Sequence, residues 1–127
     1  MSLYWFFRKW ATILDYFHLL IVEPGAPPNA AGIDHNLSSM QKIVGGLIQA
    51  IYPFEEEVAL ICNDEGKLMG LPPNRVLRHP ETGEIYDVVV GTFFLCAAPS
   101  DSENFESLTD EPIHRYPKYF STLEFFV

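Results

Sequence analysis

Ile85 to Ala97 is the longest stretch of this chain that reads as β-structure, and it constrains the rest of the fold. Val88, Val89, Val90, Phe93, Phe94 and Leu95 make it apolar at odd and even positions alike, so both faces of the strand need cover. This predicts one central strand, with Gly91 as a bulge within it.

Shorter runs supply neighbours for such a strand. His18 to Val22 is apolar and is ended by Glu23-Pro24-Gly25 and Pro27-Pro28, which cannot continue a sheet ladder, so a first strand entering a rigid loop is expected. Leu47 to Tyr52 and Val58 to Cys62 flank Pro53-Phe54-Glu55-Glu56-Glu57 and can pair as antiparallel neighbours. Asn63-Asp64-Glu65-Gly66 turns the chain into Lys67-Leu68-Met69, giving a three-strand meander with acidic tips. Leu71 to Arg78 begins too rich in proline for a strand and is read as a short helical turn, followed by a turn from His79 to Gly83. Leu123 to Val127 is expected as an edge strand.

Helical signals are few and local. Leu37, Met40, Ile43, Val44 and Leu47 recur at helical spacing behind Asn36, whose side-chain oxygen suits an N-cap, and Gly45-Gly46 supplies the exit. Thr109 or Asp110 caps a second short helix from Glu111 to about Tyr116, with Pro112 tolerated in its first turn and Pro117 stopping it. Residues 1 to 17 carry both tryptophans and a stripe of Leu3, Phe6, Phe7, Trp10, Ile13, Leu14 and Phe17, which predicts an amphipathic aromatic helix. Arg8 and Lys9 interrupt its apolar run where a signal peptide would place them ahead of it. Three fates are open to this helix: packing on the domain's own core, an interface or homodimer contact led by Phe6, Phe7 and Trp10, or attachment to a membrane surface. Together these elements predict an α+β fold in residues 18–127, a single domain with a mainly antiparallel sheet of about five strands and two helices on one face, preceded by the N-terminal helix.

The composition narrows function by exclusion. A chain of 127 residues, 48% hydrophobic and 20% charged, is long enough to bury roughly two-thirds of its unfolded surface in one core. Its 17 acidic and 8 basic residues give a formal charge of −9, which repels phosphate backbones, so general nucleic-acid binding is disfavoured. No run approaches the ~20 apolar residues of a membrane-spanning helix. Cys62 and Cys96 lack CxxC spacing, which argues against a zinc module and a disulfide scaffold and for a cytoplasmic protein.

From Leu20 to about Phe120 the chain resembles a small bacterial and phage domain family of unknown function. The resemblance rests on Glu23-Pro24-Gly25 with Pro28 and Ile33-Asp34, on Leu37 to Gly46, on Ile51-Tyr52-Pro53-Phe54, on Val58 to Leu68, on Pro73-Asn74-Arg75 and on Val90-Gly91-Thr92-Phe93. It implies no chemistry. It does imply a setting on plasmids, integrated elements and prophages of gut Firmicutes, where small acidic proteins regulate the element or block host defences.

Among candidate sites, the acids stand out. Glu55, Glu56 and Glu57 with Asp64 and Glu65 would occupy opposite ends of the predicted hairpin, roughly 15–20 Å apart at ~3.4 Å per residue. That is too far for paired acid-base catalysis. They read either as solvated turns or as a partner-binding face, extended by Asp101, Glu103 and Glu106, that mimics phosphates toward an arginine-rich protein. Lys67, Asn74 and Arg75, with Arg78 and His79 nearby, read either as surface charges balancing Glu81 and Glu84 or as an anion pocket clamped by Arg75. Asn63 to Lys67 lacks the alternating ligands of a calcium loop. His18, His35, His79 and His114 show no metal-ligand spacing, and a nucleophilic Cys-His pair could arise only through the fold. No catalytic residue, metal or cofactor is therefore predicted. The leading expectation is a non-enzymatic binding protein of a mobile element, a counter-defence inhibitor of a host nuclease of the CRISPR or restriction type, whose partner is a basic nucleic-acid-binding protein. A binder of small anionic ligands or nucleotides is the alternative, and an enzyme of unassigned chemistry the third.

Overall fold

The computed structural model describes residues 16–125 and is an α+β single domain, mainly antiparallel. Seven strands and two helices follow in the order β1 (Tyr16–Val22), β2 (Asn29–Asp34), α1 (Leu37–Val44), β3 (Ile48–Ile51), β4 (Val58–Asn63), β5 (Pro73–Arg78), β6 (Ile85–Val90), β7 (Phe93–Ala97) and α2 (Asp110–Tyr119). A five-stranded sheet runs β2-β1-β7-β4-β3, and β5 and β6 form a separate two-stranded hairpin. The expected N-terminal helix falls largely on residues 1–15, outside the described residues, as do Phe6, Phe7 and Trp10. Its last two positions, Tyr16 and Phe17, are instead the start of β1, registered against Asp34 and Ile33.

The run from Ile85 to Ala97 is two strands, not one. Gly91 adopts φ 72°, a left-handed conformation that non-glycine residues rarely take, and its N–H donates to the Pro72 carbonyl at 2.7 Å. The chain breaks there: β6 stays with β5, while β7 enters the sheet between β1 and β4. The expectation of a central strand holds for the second half. Leu20, Leu95, Leu60 and Ile51 line up across four strands on one face, and Ile21, Phe94, Ile61 and Ala50 on the other. Each fully buried side chain of this kind contributes about 1.5–3 kcal/mol.

Both faces are covered, which corrects the placement of the helices. Met40 and Val44 of α1 pack with Phe17, Leu19, Ala59, Ile61, Phe94 and Cys96. Tyr116 of α2 and Phe120 just after it lie on the opposite face with Leu77 and Val89 of the hairpin, against Leu20, Val22, Leu60, Phe93 and Leu95. The helices therefore sit on opposite faces, because a central strand apolar on both sides needs a layer on each. Caps fix α1 as expected: Asn36 Oδ1 accepts from the Ser39 N–H at 2.8 Å, and Gly45 closes the helix at φ 79°.

Other expectations change as well. Pro73 to Arg78 is a strand rather than a helical turn, because proline is tolerated at the first position of a strand that ladders on one side only. No strand forms at Lys67 to Met69, where the chain is still turning and Leu68 is 88% exposed; the free side of β4 is taken by β7. Between the Pro27-Pro28 loop and Asn36, where no element is expected, β2 pairs with β1 from Asn29 to Asp34. Helix α2 runs through Pro117 to Tyr119, since burial of Tyr116 and Phe120 outweighs one missing N–H near the helix end. Leu123 to Phe125 form no strand, although Glu124 Oε1 accepts from the Val76 N–H of β5 at 3.1 Å. Among the described residues no helix is long and apolar enough to cross a membrane.

Candidate functional site

The antiparallel order brings distant acidic segments to one end of the five-stranded sheet. The β3–β4 loop carries Glu55, Glu56 and Glu57 there. The segment after β7 joins it: Ala98 N–H donates to the Glu57 carbonyl at 2.8 Å, Ser100 Oγ donates to Glu57 Oε1 at 2.7 Å, and Ala97 bridges Glu106. Asp101 and Glu103 lie exposed in the same segment. Asp34, at the end of β2, is registered with Tyr16 at the start of β1, and Asp110 and Glu111 open α2 just after Leu108, whose N–H donates to the His18 carbonyl at 2.9 Å. Asp64 and Glu65 follow β4 at the opposite end, so the structure does not bring them to Glu55, Glu56 and Glu57. The nearer companions are the C-terminal acids Asp101, Glu103 and Glu106.

Glu56 is fixed by the chain itself. Arg115 grips both of its carboxylate oxygens, at 2.6 and 2.7 Å, and also reaches Glu111 at 3.0 Å, while the Tyr116 hydroxyl donates to Glu56 Oε1. The Arg115 bond, and after it the Tyr116 bond, holds the Glu56 carboxyl below its ordinary range. Burial, and then the Glu56 carboxylate, pushes the Tyr116 phenol up, which keeps it a donor. The guanidinium lies 5.0 Å from the Tyr116 ring centroid.

Beside this clamp, between the tip of the β5–β6 hairpin and α2, lies a cleft of about 510 Å³. Pro53, Phe54, Pro80 and Tyr119 give it an apolar lining, and Glu55, Glu81 and Arg78 border it. The rings interlock, with Phe54 centroids 4.7 Å from Tyr116 and 5.5 Å from Tyr119, and Phe120 5.5 Å from Phe93 in the core. Tyr119 remains 51% exposed. Glu55 and Glu81 make no hydrogen bond or ion pair among the described residues. The sequence reading missed this cleft because its walls come from three distant segments; Pro53-Phe54 directly before the acidic run was the local hint.

The expected anion pocket is built differently. Arg75 is 1% exposed, and its donors are taken by carbonyls of three segments: Phe120 at 3.0 Å, Ala26 at 2.6 Å and Asn74 at 3.2 Å, with Asn74 Oδ1 at 2.8 Å. Asn74 Nδ2 donates to the Val22 and Gly91 carbonyls, both at 2.8 Å. Burial lowers the Arg75 pKa, and Glu124 opposes that effect. The pair thus ties the hairpin to the sheet and to the end of α2 and does not present a clamp to solvent. Lys67 lies apart from it, paired with Asp87 at 2.6 Å on the surface.

A nucleophilic site finds little support in the thiols. Cys62 and Gln49 line a hollow of about 240 Å³ together with Asp64, Glu65 and Asp87, and no histidine borders it. Burial first, then Asp87 and Asp64, push the Cys62 thiol up; burial pushes Cys96 up to about 12. His35 stacks on Phe17 at 4.4 Å, His79 lies 4.6 Å from the Tyr86 ring, and His114 Nδ1 is 2.7 Å from the Asp110 carbonyl. Among the described residues, no group of three His, Cys, Asp or Glu side chains could hold a metal ion.

A family model described as Domain of unknown function (DUF3846) matches residues 17–121. No curated protein and no solved structure matches the chain.

Proposed function

We propose that this chain, which belongs to the DUF3846 family of domains of unknown function, is a binding protein that docks its acidic sheet end onto the nucleic-acid-binding surface of a basic protein. The observation that carries this reading is the convergence of Glu57, Asp101, Glu103 and Glu106, from two segments, on one sheet end where backbone bonds tie Ala98 to Glu57 and Ala97 to Glu106. Carboxylates carried on segments tied to a sheet can meet arginine forks in the geometry that phosphates use, at lower entropic cost than an untethered acidic tail. The partner is a nuclease of a host defence system, of the restriction or CRISPR kind, and the setting is a mobile element. The formal charge of −9 steers such an encounter, and the steering weakens with salt.

The test uses the immobilised chain and its triple variant Glu57→Lys/Asp101→Lys/Glu103→Lys in bacterial lysate. Proteins held by the wild type are expected to elute with a double-stranded DNA oligonucleotide and to be missing from the variant. Capture that DNA does not compete with, or that the variant retains, refutes the reading.

A further inference from the structure

We propose that the aromatic cleft between the hairpin tip and α2 is a peptide-docking site, and that its occupant is an extended partner segment carrying an arginine next to a proline. The proposal rests on the reading above and names the partner chemistry it takes.

The cleft, at about 510 Å³, falls within the range of binding pockets. Its lining is aromatic and proline-rich, and Tyr119 keeps half its surface open although its ring packs on Phe54 and Phe120. An apolar side chain entering here covers rings that the fold itself leaves in water. A proline suits such rings: it is flat and rigid, and a segment already in the polyproline II form loses little conformational entropy on docking.

Charge selects the second side chain. Arg115 is paired with Glu56 and Glu111, while Arg78 donates from Nη1 to the Gly83 carbonyl at 2.9 Å and keeps its charge, against which Glu55, Glu56 and Glu81 still leave the lining net negative. Glu55 and Glu81 border the cleft as exposed carboxylates without partners among the described residues. An incoming guanidinium finds two acceptors, one from the β3–β4 loop and one from the hairpin tip. Arg115 shows the same chemistry inside the molecule, since it lies against an aromatic ring while gripping a carboxylate. Arginine is favoured over lysine because its planar fork can do both at once.

The test titrates the isotopically labelled full chain, by amide NMR, with three peptides: acetyl-Ala-Pro-Pro-Arg-Pro-Ala-amide, the same peptide with glutamate for arginine, and the same peptide with alanine for every proline. Saturable shifts confined to the segments of Phe54, Glu81 and Tyr119 are expected with the first peptide, with either substitution weakening it. The variant Glu55→Gln/Glu81→Gln, which keeps side-chain size, is expected to bind the first peptide about five- to tenfold more weakly, as the loss of two exposed ion pairs implies. No saturable shift, shifts elsewhere, equal binding of the glutamate peptide, or an unaffected variant overturns the proposal. Glu57, Asp101 and Glu103 lie outside the cleft lining, so the two readings fail separately. Capture that DNA still competes with, alongside a silent peptide titration, refutes the cleft alone; peptide binding without DNA-competed capture refutes the phosphate mimicry alone.

Discussion

Arg75 offers the sharpest test of what holds the layers together. Its guanidinium donates to the Ala26, Asn74 and Phe120 carbonyls and to Asn74 Oδ1, joining the loop after β1, the start of β5 and the end of α2. Arg75→Ala strands these acceptors and leaves a void. At about 1–3 kcal/mol for each unsatisfied buried acceptor the gross loss is large, and relief of the buried cation's desolvation returns several kcal/mol. The expected net loss is about 3–5 kcal/mol, a large part of the stability of an ordinary domain. Arg75→Lys keeps the charge but not the fork, and is expected to lose about 2–3 kcal/mol. Urea unfolding followed by circular dichroism measures both, with an unchanged m-value showing that the denatured state is the same. An Arg75→Ala variant within 1 kcal/mol of wild type, or a lysine variant indistinguishable from it, would refute the account of Arg75 as a three-way tie.

Gly45→Ala and Gly91→Ala make a matched pair. Both glycines have positive φ, but a Cβ at Gly45 meets nothing within 4 Å whereas one at Gly91 lies 2.7 Å from Leu71 Cδ1. The expected losses are about 1 kcal/mol for backbone strain alone and about 2–3 kcal/mol with the clash, and equal shifts in melting temperature would contradict this. Glu56→Gln tests the clamp through pH. The Glu56 carboxyl is held below its ordinary 4.5 in the fold, by Arg115 first, so its contribution is present above that value and is lost as pH falls through the folded pKa. The stability gap between wild type and variant is therefore expected at neutral pH and to close in acid; a gap independent of pH removes the argument. With a disulfide-exchange reagent at mildly alkaline pH, Cys96 is expected to stay unreacted and Cys62 to react slowly, both becoming reactive in denaturant, since both are buried and their thiols are pushed up. Fast reaction of either in the native state would show that burial does not protect it.

The parts of the fold legible in the sequence are those that local chemistry decides. Asn36 and Gly45 bound α1 as read, because a cap needs one side-chain oxygen and one left-handed residue, and both are visible in the chain. Strand β4 was legible because it is apolar from Val58 to Cys62. What the sequence could not carry was the partner of each face. A second short helix reaching Tyr116 was legible from its cap and first-turn proline, but only the fold shows that Tyr116 lies across the sheet from Met40. Gly91 announced a disturbance in a long apolar run, yet a bulge and a change of sheet call for the same residue. At the site, the run Glu55 to Glu57 was plain, while the cleft needed Phe54, Glu81 and Tyr119 to meet from three segments. Arg75 misled for a physical reason: an arginine next to an asparagine looks like a ligand clamp until the carbonyls that saturate it are seen.

The position of β7 also fixes the order in which the molecule can be completed. Strands β1 and β4 both lie against β7, so the middle of the sheet is among the last parts of the domain to be synthesised. Until residue 97 has left the ribosome, β1 and β4 have no shared neighbour: Leu20 and Leu60 lack Leu95 between them, and Ile21 and Ile61 lack Phe94. Nascent chains shorter than this thus hold the pairs β1–β2 and β3–β4 without the strand that joins them, and each leaves open the edge that β7 later covers, the kind of edge through which chains associate.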